Sequence, residues 1–219
     1  MITVHSFTFN PFAENTYVLA DATKACIIID PGCYTPEEEA QLAAYIADHG
    51  LKPERLLNTH CHIDHVFGNR FVADRYGLSL EIPPEELPML QAVPAISQVY
   101  QIPLRSESPE PQLSLHEGDT VRFGQSELKI LFVPGHSPGH VAFYQPEDRF
   151  VVAGDVLFYG SIGRTDLPGG DYDTLINSIR KQLLPLGDDV VVYPGHGEPT
   201  KIGFERRNNT YLKRVSRDA

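Results

Sequence analysis

Thr59-His60-Cys61-His62-Ile63-Asp64-His65 brings three histidines and an aspartate into six residues, one residue after the apolar pair Leu56-Leu57. Imidazole nitrogen and carboxylate oxygen are the donors that a zinc or iron site uses. Three later stretches repeat the arrangement: Val133-Pro134-Gly135-His136, Val152-Ala153-Gly154-Asp155 and Val192-Tyr193-Pro194-Gly195-His196. Each time a β-like run stops and a potential donor follows at its carboxyl end. Seven donors therefore arrive from four strand ends, enough for two metal ions. Cys61 lies between two donors, so in an extended segment it points away from them and is expected to pack.

The rest of the chain suits a soluble globular protein. Its 219 residues fit one domain of ordinary to large size. Such a length buries about 70–75% of the unfolded surface and needs no disulfide support. Hydrophobic residues make up 42% and charged residues 21%, the balance of a globular protein. Cys26, Cys33 and Cys61 form no C-x-x-C pair, which argues against thiolate zinc and a disulfide framework. The start Met1-Ile2-Thr3-Val4-His5 has no basic, apolar leader, and no apolar run reaches 18 residues. A cytoplasmic protein without a membrane partner is expected. A formal net charge of −11 with no basic stripe argues against nucleic acid. A small anion remains admissible, because local metal charge can attract it. No G-x-S-x-G elbow, P-loop or G-x-G-x-x-G fingerprint occurs.

Strands are predicted at Thr16–Ala20, Ala25–Ile29, Arg55–Asn58, Leu128–Val133, Ala142–Tyr144, Phe150–Ala153 and Val190–Tyr193, from β-branched runs bounded by Gly, Pro or Asp. Ile27-Ile28-Ile29 and Val190-Val191-Val192 are apolar throughout, as strands covered on both faces are. Thr35-Pro36-Glu37-Glu38 opens a helix that Gly50 ends. Further helices are predicted from about His65 to Tyr76, over Tyr172–Leu184, and over Phe204–Val215. The segment 83–111 holds seven prolines and is expected to be irregular, with one or two short helices near the site mouth. The pattern as a whole is mixed α/β. His5, His49 and His116 have no motif context and are read as surface residues.

Thr59–His65 resembles the T-H-x-H-x-D-H signature of the metallo-β-lactamase superfamily, and His136, Asp155 and His196 match its later motifs in order. Gly135-His136-Ser137-Pro138-Gly139-His140, Gly154-Asp155 and Gly195-His196-Gly197 are similar to the glyoxalase II (hydroxyacylglutathione hydrolase) branch. Gly160-Ser161-Ile162-Gly163-Arg164-Thr165-Asp166 resembles the short bacterial members of that branch. The resemblance implies a four-layer αββα sandwich. It also implies two divalent ions, zinc first and iron or manganese as alternatives. His60, His62 and His136 would hold one ion; Asp64, His65 and His196 would hold the other; Asp155 would bridge them beside a nucleophilic hydroxide. Asp30, in Asp30-Pro31-Gly32, would accept a hydrogen bond from a ligand histidine. His140 is expected to support the site without ligating. Arg164 would meet a substrate carboxylate or pair with Asp166.

The implied activity is hydrolysis of S-acylglutathione or a related small thioester. Only 23 residues (219 − 196) follow His196, too few for the helical glutathione-binding domain of full-length glyoxalase II, and that family's Lys-Phe-Tyr element is absent. One hydrolase domain over 1–219 with loose thiol-carrier selectivity is therefore expected. The main alternative is a persulfide dioxygenase, which shares the signature and a Gly-Arg-Thr-Asp loop but uses a single iron held by two histidines and an aspartate. Lactonase or β-lactamase chemistry is a further alternative.

Overall fold

The computed structural model describes residues 1–213. A first sheet has the order β1 (Thr3–Phe9), β2 (Glu14–Ala20), β3 (Ala25–Ile29), β4 (Lys52–Leu57), β5 (Leu80–Ile82) and β6 (Gln112–Leu113). The second sheet contains β7 (Thr120–Phe123), β8 (Ser126–Phe132), β9 (Val141–Gln145) and β10 (Phe150–Gly154). The hairpin β11 (Leu157–Phe158) and β12 (Ser161–Ile162) stands apart. The second sheet is completed by β13 (Val191–Pro194) and β14 (Thr200–Lys201), in the order β14-β13-β10-β9-β8-β7. Both sheets are mixed: β3, β4, β5 and β6 pair in parallel, as do β10 and β13, and the remaining pairs are antiparallel.

Successive residues of a strand point to opposite faces, which explains the unbroken apolar runs. Tyr17, Leu19, Ile27 and Ile29 face Val121, Leu128, Phe143 and Val152 of the second sheet. Their neighbours Val18, Cys26 and Ile28 face the other way, against Leu42, Ile46 and Val72. Val151 and Ala153 likewise turn outward to Leu175, Ile179 and Leu183. Three apolar layers therefore lie between four layers of structure, the expected αββα sandwich. Each fully buried leucine or isoleucine contributes about 1.5–3 kcal/mol.

The outer helices follow their sequence marks in part. Helix α1 (Pro36–Asp48) has the anticipated capping box, with Thr35 Oγ1 accepting from the Glu38 N–H and the Glu38 side chain accepting from the Thr35 N–H. The helix expected from His65 to Tyr76 begins earlier and is broken into α2 (Ile63–Val66) and α3 (Asn69–Tyr76). At the break the Gly68 N–H donates to Pro31 O at 2.7 Å, and Cys33 Sγ fills the space a side chain would need.

Segment 83–111 is more regular than its prolines suggest. Helix α4 (Leu87–Tyr100) runs for 14 residues through it. Pro88 sits in the first turn, where an N–H has no acceptor to lose. Pro94 removes only one interior bond, while Leu90, Val93 and Ser97 anchor the helix by burial. Helix α5 (Tyr172–Ser178) continues through a wide turn at Ile179–Leu183 and a tight one at Leu184–Leu186. The tail forms α6 (Ile202–Asn208) and α7 (Thr210–Lys213). The remainder of the predicted tail helix, to Val215, lies outside the described residues. Among these residues no helix is long and apolar enough to cross a membrane.

The predicted strands lie within about three residues of those observed. The missed strands are β1, whose polar edge positions alternate with buried Phe7 and Phe9, and short pieces of two to four residues. His5 is not a plain surface residue, since its ring stacks on Tyr45 at 3.9 Å.

Candidate metal centre

The carboxyl ends of β4, β8, β10 and β13 meet at one edge of the sandwich, and the predicted donors follow them. His60, His62, Asp64 and His65 come from the turn after β4 and from α2. His136 follows β8, Asp155 follows β10 and His196 follows β13. The donor atoms of His60, His62 and His136 lie within 4.8 Å of one another, as do those of Asp64, His65 and His196. Asp155 lies between the two sets. Its Oδ2 is 3.3 Å from His136 Nε2 and 3.4 Å from His196 Nε2, and its Oδ1 is 3.5 Å from His65 Nε2. All seven residues are thus brought together.

Surrounding groups set which nitrogen faces inward in four of the five rings, while His62 turns Nδ1 toward His136 Nε2 at 2.8 Å. The Arg164 carbonyl accepts from His136 Nδ1–H at 2.7 Å, leaving a lone pair on Nε2. The Phe12 carbonyl, at 3.1 Å, does the same for His196. Asp30 accepts from His65 Nδ1–H at 3.2 Å, from the Thr59 N–H at 2.7 Å and from the Thr59 hydroxyl at 2.6 Å. Thr59 Oγ1 in turn accepts from His60 Nδ1–H at 3.0 Å. Asp30 therefore orients two rings at once, directly and through Thr59. Asp30 also forms a third donor grouping with His60 and His65. Because its oxygens are already occupied, it positions those rings and leaves their Nε2 atoms free.

His140 is fully buried, stacks on His60 at 4.5 Å and accepts the Asp155 backbone N–H at 3.0 Å on Nε2. It steadies Asp155 from behind. Gly154 has φ of +49° there, and an added Cβ would meet Thr59 Oγ1 at 2.5 Å and His140 Cε1 at 2.6 Å, so both conformation and space require glycine. Cys61 is fully buried in the apolar layer under α1 and α3, as its extended setting predicts. Arg164 holds Asp166 through two bonds of 2.7 Å, the intramolecular partner its sequence position offered.

Electrostatics sort the rings into two kinds. Burial, reinforced by neighbouring imidazoles, pushes His60 well below the usual histidine range and His62 down to about 3. These rings offer neutral lone pairs. At His65 and His196 burial acts the same way, but Asp64 and Asp155 overcome it, raising His65 well above its usual range and His196 to about 10. Histidine charge likewise outweighs burial at Asp155 and keeps its carboxyl well below the ordinary range.

The residues fit divalent cations. His60 Nε2, His65 Nε2 and Asp155 Oδ1 are buried without a hydrogen-bond partner, which is costly unless another group satisfies them. Imidazole and carboxylate donors without thiolate suit zinc, iron or manganese.

Two buried glutamates were missed by sequence reading. Glu14 is completely buried, with Oε1 3.8 Å from His65 Nδ1. Glu86 joins two donor-bearing loops, accepting from the Cys61 N–H at 2.8 Å, from the Gly139 N–H at 2.7 Å and from the Ser137 hydroxyl. Neither stands near a recognisable motif; only the fold places them.

A cavity of about 610 Å³ opens over the donors, with His62, Asp64, His136, Asp155 and His196 among its lining residues. Residues 9–196 match the Metallo-beta-lactamase superfamily. The chain is 37% identical over 206 residues to a hydroxyacylglutathione hydrolase, GloC, of Haemophilus influenzae, covering 94% of this chain and 95% of that one. Among solved structures it resembles TTHA1623, determined in a di-iron-bound form, with a TM-score of 0.86, 38% identity and coverage of 95% and 100%. The BLEG-1 B3 metallo-beta-lactamase gives the same TM-score at 33% identity, with 97% and 99% covered. With the donor order, the four-layer sandwich and these relatives in agreement, the chain belongs to the metallo-β-lactamase superfamily.

Proposed function

We propose that this chain is a two-metal hydrolase that cleaves small S-acyl thioesters, acting as one hydrolase domain in the cytoplasm. The observation that carries the reading is the pair of three-donor groups on either side of Asp155, at the base of a pocket. The 37% identity to a protein named hydroxyacylglutathione hydrolase supports the thioester class. His60, His62 and His136 would hold one ion, Asp64, His65 and His196 the other, and Asp155 would touch both. Zinc is the first choice of metal, and the di-iron form of TTHA1623 makes iron the second. Ions held there supply a water acidified toward neutral pH and an electrophile for the carbonyl oxygen.

The chain's own groups perform the rest. Asp30, Thr59 and the Arg164 and Phe12 carbonyls hold four imidazoles in the tautomer that presents Nε2 inward. His140 fixes Asp155 through its backbone. The apolar walls exclude bulk water from the carbonyl, which strengthens charge interactions at the reacting atoms. In the overall reaction a C–O bond forms and the C–S bond breaks. The acid keeps the oxygen of water, and the leaving thiolate takes up a proton.

Metal analysis coupled to a thioester hydrolysis assay tests this. The expected result is about two equivalents per chain, with turnover rising alongside metal content. One reproducible iron per chain, with oxygen consumed in the presence of a persulfide and no thioester cleaved, would replace this reading with the dioxygenase one.

A further inference from the structure

The walls of the cavity over the donors are mostly apolar. Helix α4 contributes Met89, Ile96 and Tyr100, while Phe12, Phe158 and Leu167 come from other parts of the chain. The Phe12 and Tyr100 rings meet edge to face at 5.9 Å, and Phe158 stands edge-on to the His196 ring at 6.2 Å. Tyr100 remains 43% exposed and its neighbour Val99 79% exposed, so apolar surface continues from the pocket to its lip. Charge is scarce there. Arg164 is the one arginine or lysine among the described lining residues, and Asp166 pairs with it through two bonds. The carboxylates of Asp64 and Asp155 face the histidines.

A glutathione carrier brings two carboxylates and an ammonium, for which this wall offers only the already paired Arg164 and the Ser161 hydroxyl. Buried apolar surface, by contrast, rewards an apolar ligand. The common thiol carriers are polar, so the apolar portion of a thioester is its acyl group. Resting on the thioester reading above, we propose that the pocket seats an apolar acyl chain of about four to eight carbons against α4 and Phe158. Substrate choice is then made by the acyl group and not by the thiol.

The test uses the metal-loaded protein and N-acetylcysteamine thioesters from acetyl to octanoyl, with an S-hydroxyacylglutathione for comparison. Full burial would give about fourfold per methylene. In a pocket open at its lip, kcat/KM should rise about 10–100-fold over the series, mostly through KM, as uniform binding requires. Ile96→Asn should flatten that slope. Binding without turnover gives a separate readout. The S-octyl thioether of N-acetylcysteamine should bind at least about tenfold tighter than the S-ethyl one, with a negative heat-capacity change.

A flat or falling series, with the hydroxyacylglutathione preferred, would overturn the apolar seat and leave the thioesterase reading standing. If no thioester turns over while the S-octyl thioether still binds more tightly, the thioesterase reading fails and the apolar seat survives. Equal binding of the two thioethers overturns the seat by itself.

Discussion

Glu86 shows how a residue outside every motif governs the site. Its carboxylate accepts from the Cys61 N–H, between His60 and His62, and from the Gly139 N–H and Ser137 hydroxyl beyond His136. Burial pushes its carboxyl upward, and these three donors pull it back. Glu86→Ala leaves the donors buried and unpaired, which should cost about 2–4 kcal/mol in urea unfolding of the metal-free protein. Metal retained after dialysis should fall as well. Glu86→Gln should do less harm, although its amide presents an N–H where an acceptor is needed. At the centre, Asp155→Ala should remove metal and turnover together, because the side chain faces both donor sets. Asp30→Ala should cost about 10–100-fold in rate, as expected for a residue that orients ligands; near-normal metal content and rate for Asp155→Ala would remove it from the bridging role.

The shifted histidines also give a pH prediction. With its pKa raised to about 10, His196 is protonated below that pH when no cation is present, and His65 shifts in the same direction. A cation must expel those protons, so affinity should rise with pH from 6 to 9. Zinc added at pH 7 to weakly buffered apo-protein should release about two protons per chain. His62, held near 3, is already neutral and adds no dependence in this range. Affinity independent of pH would show that His65 and His196 are not ligands.

At the scale of elements, α4 matters because one helix provides both the Glu86 brace at its start and the apolar wall along its length. Its interior proline is a local weakness. Pro94 cannot donate to the carbonyl one turn back, and it does not line the cavity over the donors. Pro94→Ala should restore that bond and add about 1–3 kcal/mol, raising the melting temperature by roughly 2–10 °C. A lower melting temperature would mean that the helix path depends on the proline ring. The loops after β4, β8, β10 and β13 need no such repair. Each is anchored by the strand before it and tied by bonds such as Asn15 N–H to Gly195 O at 2.7 Å and Val141 N–H to Thr59 O at 2.9 Å.

At the scale of the molecule, the donors come from both sheets. His60 to His65 follow a strand of the first sheet, while His136, Asp155 and His196 follow strands of the second. Ions held among them would tie the two halves of the sandwich together at one edge. Ligands that bind only the native state stabilise it by mass action, about 2.7 kcal/mol at a hundred times Kd. Removing metal with a chelator should therefore lower the melting temperature by about 5–10 °C, and restored metal should reverse the loss. An unchanged melting temperature would argue against a site shared between the sheets.

The mixed α/β pattern was legible because strand periodicity is local, whereas the four-layer order was implied only by the family resemblance. Ile27-Ile28-Ile29 and Val190-Val191-Val192 had to be covered on both faces, and the donors had to follow the ends of such strands. Thr35 and Glu38 announced a helix start through contacts three residues apart. The amino-acid sequence by itself thus determined the mixed α/β class and most long elements, and it singled out the seven candidate donors, since each rests on neighbours in the chain. What it could not supply depends on distance through space. The break at Gly68 comes from Pro31 and Cys33 on another segment. Helix α4 forms across a proline-rich stretch because burial of Leu90 and Val93 outweighs one lost bond. Glu14 and Glu86 enter the site only once the sheets have stacked. Tertiary structure alone decided these points, because burial and hydrogen-bond partners are set by which surfaces meet, and residues far apart in the chain meet only in the fold.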